Sequence, residues 1–248
     1  MPTWEVIHGD CLEVLRTMPD ASVDAVVTDP PYSSGGMVRG DRMVSTRQKY
    51  QSSDVQEEHP SFTGDNRDQR GFGYWCALWL SECRRITKPG GMVCAFTDWR
   101  QLPTTTDAIQ AGGWVWRGIV PWDKVVARPM PNRFRAQAEY MVWGSNGPRD
   151  FDTANAVYGD GVFRVRTPTI AEREHATQKP VELIEEVVKV VAPIGGVVID
   201  PFTGSGTTGV ACARLGRSFV GVEMMPEFCD IARRRIAEAA NHLYAGAK

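Results

Sequence analysis

Residues 197–208 read Val197-Val-Ile-Asp-Pro-Phe-Thr-Gly-Ser-Gly-Thr-Thr208. A short apolar run enters a Gly-rich turn, and a helical stretch, Thr207–Leu215, follows. Gly204 and Gly206 let the backbone approach a ligand, and the helix start offers unpaired N–H groups. The next strand, Ser218–Glu223, ends in a carboxylate suited to ribose hydroxyls. Such turns also occur as plain strand-to-helix connections. With strand, turn, helix and acid in sequence, the segment reads as a nucleoside site built from Asp200, Phe202, Gly204, Ser205, Gly206, Thr207, Thr208 and Glu223. Taken as a G-x-G turn short of the full phosphate fingerprint, it disfavours NAD and ATP and favours a ligand without phosphates.

Outward from this segment the same rhythm repeats. Strands are expected at Val6–Asp10, Val23–Asp29, Gly91–Phe96, Val115–Trp122, Glu139–Trp143 and Val197–Asp200. Helices are expected at Cys11–Met18, Tyr74–Thr87, Thr104–Ala111, Pro180–Val191 and Pro226–Ala240. Val/Ile-rich strands alternating with helices indicate an α/β fold, a doubly wound and mostly parallel sheet covered on both faces. Two regions break the rhythm. Ser33–Gly73 has no clear period, and its six basic residues are matched by six acids. Asn146–Ala176 is irregular too, with Tyr158-Gly-Asp-Gly-Val162 expected as a tight turn between two short strands.

The 248 residues suggest one large domain, or one domain with an appendage, and suffice for a full core without disulfides or metal. Apolar residues at 42% and charged residues at 23% exclude global disorder. Neither a membrane-length apolar run nor a signal-like N-terminus is seen, so a cytoplasmic location is expected. The six cysteines form no C-x-x-C pair and only four histidines exist, so no metal site is expected. A net charge of −2 argues against nucleic acid only on average. Locally, Lys124, Arg128, Arg133 and Arg135 lie in a stretch with no acid, which reads either as a solvated loop or as a phosphate contact.

A second motif, Val26-Val-Thr-Asp-Pro-Pro-Tyr32, ends a strand on the edge of the sheet where ligands bind. Two prolines stiffen the turn and aim the Pro30 carbonyl. Asp29 and that carbonyl supply two acceptors beside the flat face of Tyr32, an arrangement suited to a planar ring carrying an amino group.

Asp29-Pro30-Pro31-Tyr32 together with Phe202-x-Gly204-x-Gly206 resembles the S-adenosylmethionine-dependent DNA amino-methyltransferases, in the motif order of their permuted β group. The resemblance spans most of the chain and implies a Rossmann-like methyltransferase fold over residues 1–248. His8-Gly-Asp-Cys-Leu12 resembles the group's N-terminal segment, implying that Asp10 and the Cys11 N–H meet the cofactor adenine; Asp10 also reads as a helix cap. His175-Ala-Thr-Gln-Lys-Pro180 resembles a segment that implies Thr177, Gln178 and Lys179 near the cofactor.

The resemblance implies direct methyl transfer from S-adenosylmethionine to an amino nitrogen of a base flipped out of double-stranded DNA, with Asp29, Pro30, Pro31 and Tyr32 catalytic. Asp at position 29 leans towards adenine N6; cytosine N4 is the alternative, and a non-catalytic DNA-binding regulator a further one. The span between Trp143 and His175 is short for a target-recognition segment. DNA reading is therefore expected from the Ser33–Gly73 insertion, with Arg39 and Arg42, from residues 146–176, and from a second subunit in a homodimer.

Overall fold

The structure, a computed structural model, describes residues 2–32, 67–127, 129–149, 156–169 and 178–245, with side chains to residue 241. The strands are β1 Trp4–His8, β2 Val23–Thr28, β3 Thr87–Thr97, β4 Val115–Asp123, β5 Ala138–Ser145, β6 Phe163–Arg164, β7 Val197–Asp200 and β8 Ser218–Glu223. The helices are α1 Cys11–Thr17, α2 Gln69–Ile86, α3 Leu102–Ala111, α4 Val181–Val191, α5 Thr207–Leu215 and α6 Pro226–Ala245. One sheet runs in the order β1-β8-β7-β2-β3-β5-β4-β6. Neighbours are parallel from β1 through β3, and β5 is antiparallel to both β3 and β4.

Side chains alternate across the pleat, and the sheet separates two apolar cores. Ala25, Val27, Cys94, Phe96 and Val198 face one, with Leu183, Val187 and Val188 of α4, Val210 and Ala211 of α5, and Ala232 and Ile236 of α6. Val26, Val93, Ala95 and Ile199 face the other, with Leu15 of α1, Phe72, Trp79 and Leu80 of α2, and Ala108 and Ile109 of α3. This is the expected α/β architecture with helices on both faces.

The strand order fixes where a ligand can sit. The connection out of β2 leads through α2 to β3, on one side. The connection out of β7 leads through α5 to β8, on the other. Between β7 and β2 the winding direction changes, which opens a crevice at their C-terminal ends. Asp29 follows β2 and Asp200 ends β7, so both carboxylates lie at that switch point.

Three local expectations change. The helix expected from Tyr74 begins at Gln69, so the last residues of the expected insertion belong to α2. Gly71 and Gly73 weaken the local signal, and burial of Phe72 supplies what propensity does not. Around Tyr158-Gly-Asp-Gly-Val162, one strand rather than two is found among the described residues. That strand, β6, pairs in parallel with β4 instead of folding back as a hairpin. Phe163 is buried, the Val165 N–H donates to the Asp123 carbonyl, and Trp122 Nε1 donates to the Val165 carbonyl, so the segment is held from β4. The strand expected at Val6–Asp10 ends at His8, because Asp10 caps α1. No helix among the described residues is long and apolar enough to cross a membrane.

Candidate active site

A cleft of about 470 Å³, open to solvent, lies at the switch point. Thr28 and Asp29 line it after β2, Asp200, Phe202, Thr203, Gly204 and Ser205 line it after β7, and Thr207, Thr208, Gln178 and Lys179 complete the lining. The two sides are tied by a buried knot. Thr28 Oγ1 donates to Asp200 Oδ1 at 2.7 Å, and Thr208 Oγ1 donates to Asp200 Oδ2 at 2.7 Å. The Phe202 N–H adds a third donor. Burial, only partly offset by these donors, pushes the Asp200 carboxyl up to about 6.

The glycine turn is shaped from behind. Gly206 is the N-cap of α5 with φ of 84°, and a Cβ there would lie 2.9 Å from Ala232. Gly204 has φ of 49° and open space where a Cβ would be, so its free side is available to a ligand. Arg235 of α6 donates to the Ser205 carbonyl at 2.6 Å and lies 2.9 Å from Ser205 Oγ. Phe202 packs its ring 5.2 Å from those of Trp75 and Trp79, which anchors the turn to the opposite core. Glu223 Oε2 accepts from the Gly204 N–H and Oε1 from the Met225 N–H. Burial raises the Glu223 carboxyl above its ordinary range, although these amides oppose the shift.

The expectation of a phosphate-free ligand needs a different basis from spacing. Gly209 completes a G-x-G-x-x-G run with Gly204 and Gly206. Its role is packing, since a Cβ would meet Ile236 at 2.3 Å and Phe219 at 2.8 Å. What disfavours phosphate is electrostatic. The Gly204 amide is already taken by the Glu223 carboxylate, and a second carboxylate, Asp200, lies beneath the turn.

On the other side, Asp29 accepts from two groups. Tyr32 donates its hydroxyl to Oδ1, and Lys179 Nζ lies 2.5 Å from Oδ2. Lys179 is 6% exposed, and its Nζ is also 3.0 Å from Tyr32 Oη and 3.3 Å from Glu139 Oε2. Lys124 Nζ lies 3.2 Å from Glu139 Oε1. Burial raises Asp29, against the pull of Lys179. Burial also raises Tyr32 well above its ordinary value, with Asp29 and Glu139 adding to it. For Lys179 and Glu139, burial opposes the charged form but the partners prevail: Lys179 is held up and Glu139 held down.

The remaining site candidates separate. Asp10 caps α1 through the Leu12 and Glu13 N–H groups, and Cys11 is the buried first residue of that helix. Both stand at the end of β1, beside the end of β8 that carries Glu223, where the Gly9 N–H donates to the Glu223 carbonyl. Asp10, Cys11 and Glu223 all stand beside the cleft rather than among the residues that line it. Burial pushes the Cys11 thiol up to about 12. Arg133 and Arg135 are exposed on the β4–β5 connection, whereas Lys124 turns inward onto Glu139. Thr177, Arg128, Arg39, Arg42 and the rest of residues 33–66 lie outside the described residues.

Glu139 and Arg235 are functional candidates that sequence reading passed over. Glu139 had one signal, an acid in an otherwise uncharged strand. Arg235 had none, being one of three consecutive arginines. Arg233 goes to the Val6 carbonyl, Arg234 to Glu238, and Arg235 to the turn.

A DNA methylase family model for N6 and N4 amino-methyltransferases matches residues 23–234. The type II methyltransferase M.HinfI of Haemophilus influenzae is 28% identical over 94% of this chain and 68% of its own length. The structure of M1.HpyAVI in complex with SAM superimposes with a TM-score of 0.68 at 22% identity, covering 94% of this chain and 99% of that one. The cytosine-N4-specific PvuII DNA methyltransferase gives a TM-score of 0.69 at 18% identity, over 99% and 94% of the two chains.

Proposed function

The chain belongs to the N6/N4 DNA methylase family, and on that premise we propose that it transfers a methyl group from S-adenosylmethionine to N6 of an adenine flipped out of double-stranded DNA. The carrying observation is the placement of Asp29 at the C-terminal end of β2, across one cleft from the glycine turn after β7. A methyl donor on the turn and an amino acceptor at Asp29 would face each other there.

The residues suit that donor. Gly204 leaves its outer side open, Thr203 Oγ1 is buried with no hydrogen-bond partner among the described residues, and Asp200 and Glu223 make the turn anionic. An anionic turn favours a cationic sulfonium over a nucleotide phosphate. The Glu223 carboxylate, with four acceptor directions, can take ribose hydroxyls beside its backbone amides. When bound, S-adenosylmethionine supplies an electrophilic methyl group on sulfur.

The chain's part is to prepare the nitrogen. Asp29 and the Pro30 carbonyl accept the amino hydrogens, and these bonds strengthen as positive charge grows on nitrogen. Tyr32 offers a ring on which the extruded base stacks. Holding the nitrogen in line with the methyl group adds proximity. Arg133 and Arg135, with Arg128, are assigned to phosphates. The 33–66 segment, with Arg39 and Arg42, and a second subunit are assigned to sequence reading. The protein works in the cytoplasm, where such DNA is found.

Incubating the chain with labelled S-adenosylmethionine and unmethylated DNA, followed by nucleoside mass spectrometry, tests the reading. N6-methyladenine is expected. N4-methylcytosine would overturn the choice of base. Cofactor binding without any methyl incorporation would overturn the enzyme in favour of a binding protein.

A further inference from the structure

We propose that Lys179 is a positioning residue for the Asp29 carboxylate, and that Glu139 moderates its hold. The inference rests on reading Asp29 as the acceptor of the base's amino hydrogens. It differs from the role that motif resemblance implies for Lys179, which is contact with the cofactor.

The geometry carries it. The Lys179 ammonium stands between two carboxylates, 2.5 Å from Asp29 Oδ2 and 3.3 Å from Glu139 Oε2. The rings of Tyr32, Phe96 and Trp122 surround it at 5.3, 5.5 and 6.0 Å. A cation enclosed in this way persists only where it is paired. Tyr32 holds Oδ1 while Lys179 holds Oδ2, so the carboxylate plane is fixed, and each oxygen keeps one acceptor direction for the base.

The charged groups come from separate elements. Asp29 follows β2, Lys179 precedes α4, Glu139 lies in β5, and Lys124 follows β4. Asp29 also acts on Asp200 at the end of β7, and Asp98 after β3 acts on Tyr32. Lys179 favours the ionised Asp29 carboxylate and Glu139 opposes it. The two neighbours therefore act on Asp29 with opposite sign.

The test is a carbon-13 NMR titration of the full chain labelled at aspartate carboxyls, with the Asp29 signal assigned through Asp29→Asn. In Lys179→Met the Asp29 midpoint should rise by about one pH unit or more, and in Glu139→Gln it should fall. Lys179→Arg should restore most of the wild-type midpoint. The acid limb of kcat should move with the midpoint in each variant, while the cofactor Kd stays unchanged. An unmoved midpoint in folded Lys179→Met, or shifts of the same sign in both variants, overturns the proposal. A weakened cofactor Kd with an unmoved midpoint returns Lys179 to the cofactor. If Lys179→Met does not fold, Glu139→Gln decides: a fall supports the proposal and an unmoved midpoint overturns it. A wild-type chain that methylates no DNA removes the acceptor reading, and the titration still decides whether Lys179 governs the carboxylate.

Discussion

At the scale of single residues, two carboxylates at one switch point are assigned different work. Asp29 faces the proposed base, so Asp29→Ala should cost about 10²-fold or more in kcat and leave the cofactor Kd nearly unchanged. Wild-type-like turnover in the purified variant would remove the assignment. Asp200 accepts from Thr28, Thr208 and Phe202 and sits near 6 rather than at the ordinary carboxyl value of 3.8. A carboxyl raised on folding stabilises the folded state below its unfolded pKa and loses that contribution as pH rises through its folded pKa. The contribution should therefore decline between about pH 4 and 6, with a ceiling on the order of 3 kcal/mol. Denaturation of wild type and Asp200→Asn across that range checks the sign; an identical pH dependence in both would exclude Asp200 as the source. Glu223 binds two backbone amides, so Glu223→Ala should weaken cofactor affinity by roughly ten- to a hundred-fold, measurable by calorimetry. The placement of Asp29 and Glu223 at strand ends was legible because each closes an apolar run next to a motif. The Asp200 knot was not, because Thr28 and Thr208 reach it only after β2, β7 and α5 assemble. The ion pairs of Lys179 with Asp29 and Glu139 were hidden for the same reason, since Glu139 is brought to it only by the sheet.

At the scale of elements, the glycine turn separates two kinds of demand. Gly206 is required by conformation and by space, with φ of 84° and Ala232 at 2.9 Å. Gly206→Ala should cost about 2–4 kcal/mol, from the left-handed backbone and overpacking together. Gly204→Ala meets no neighbour and should cost about 1–2 kcal/mol, with its larger effect on cofactor affinity. Equal losses of stability in the two variants by urea denaturation would contradict this division. Strand and helix types were readable here because the Val/Ile period and the glycines agree. Helix α2 was read short at its start, where Gly71 and Gly73 hide a turn that Phe72 and its buried contacts stabilise. The parallel docking of β6 on β4 had no local signal. It depends on Trp122 and Asp123, far away in sequence.

At the scale of the whole molecule, DNA affinity depends on which cations are free to meet phosphates. The sequence stretch Lys124–Arg135 offers four, but Lys124 is committed to Glu139. With Arg128, Arg133 and Arg135 engaged, log K should fall against log salt with a slope of about −2.7 for one subunit and about −5.4 for two. Binding isotherms over a salt series, alongside sedimentation, check this. A slope near −3.6 would mean that Lys124 leaves Glu139 on DNA, and a monomer with the shallow slope would exclude the dimer. The hydrogen bond between Thr28 and Asp200 has a wider consequence. The halves proposed to hold base and cofactor are joined by a seam of sheet between β2 and β7. Their mutual distance is thus indifferent to which half the ribosome makes first. A gene could exchange the order of the two halves, through new connections far from the crevice, and the same opposed surfaces would assemble.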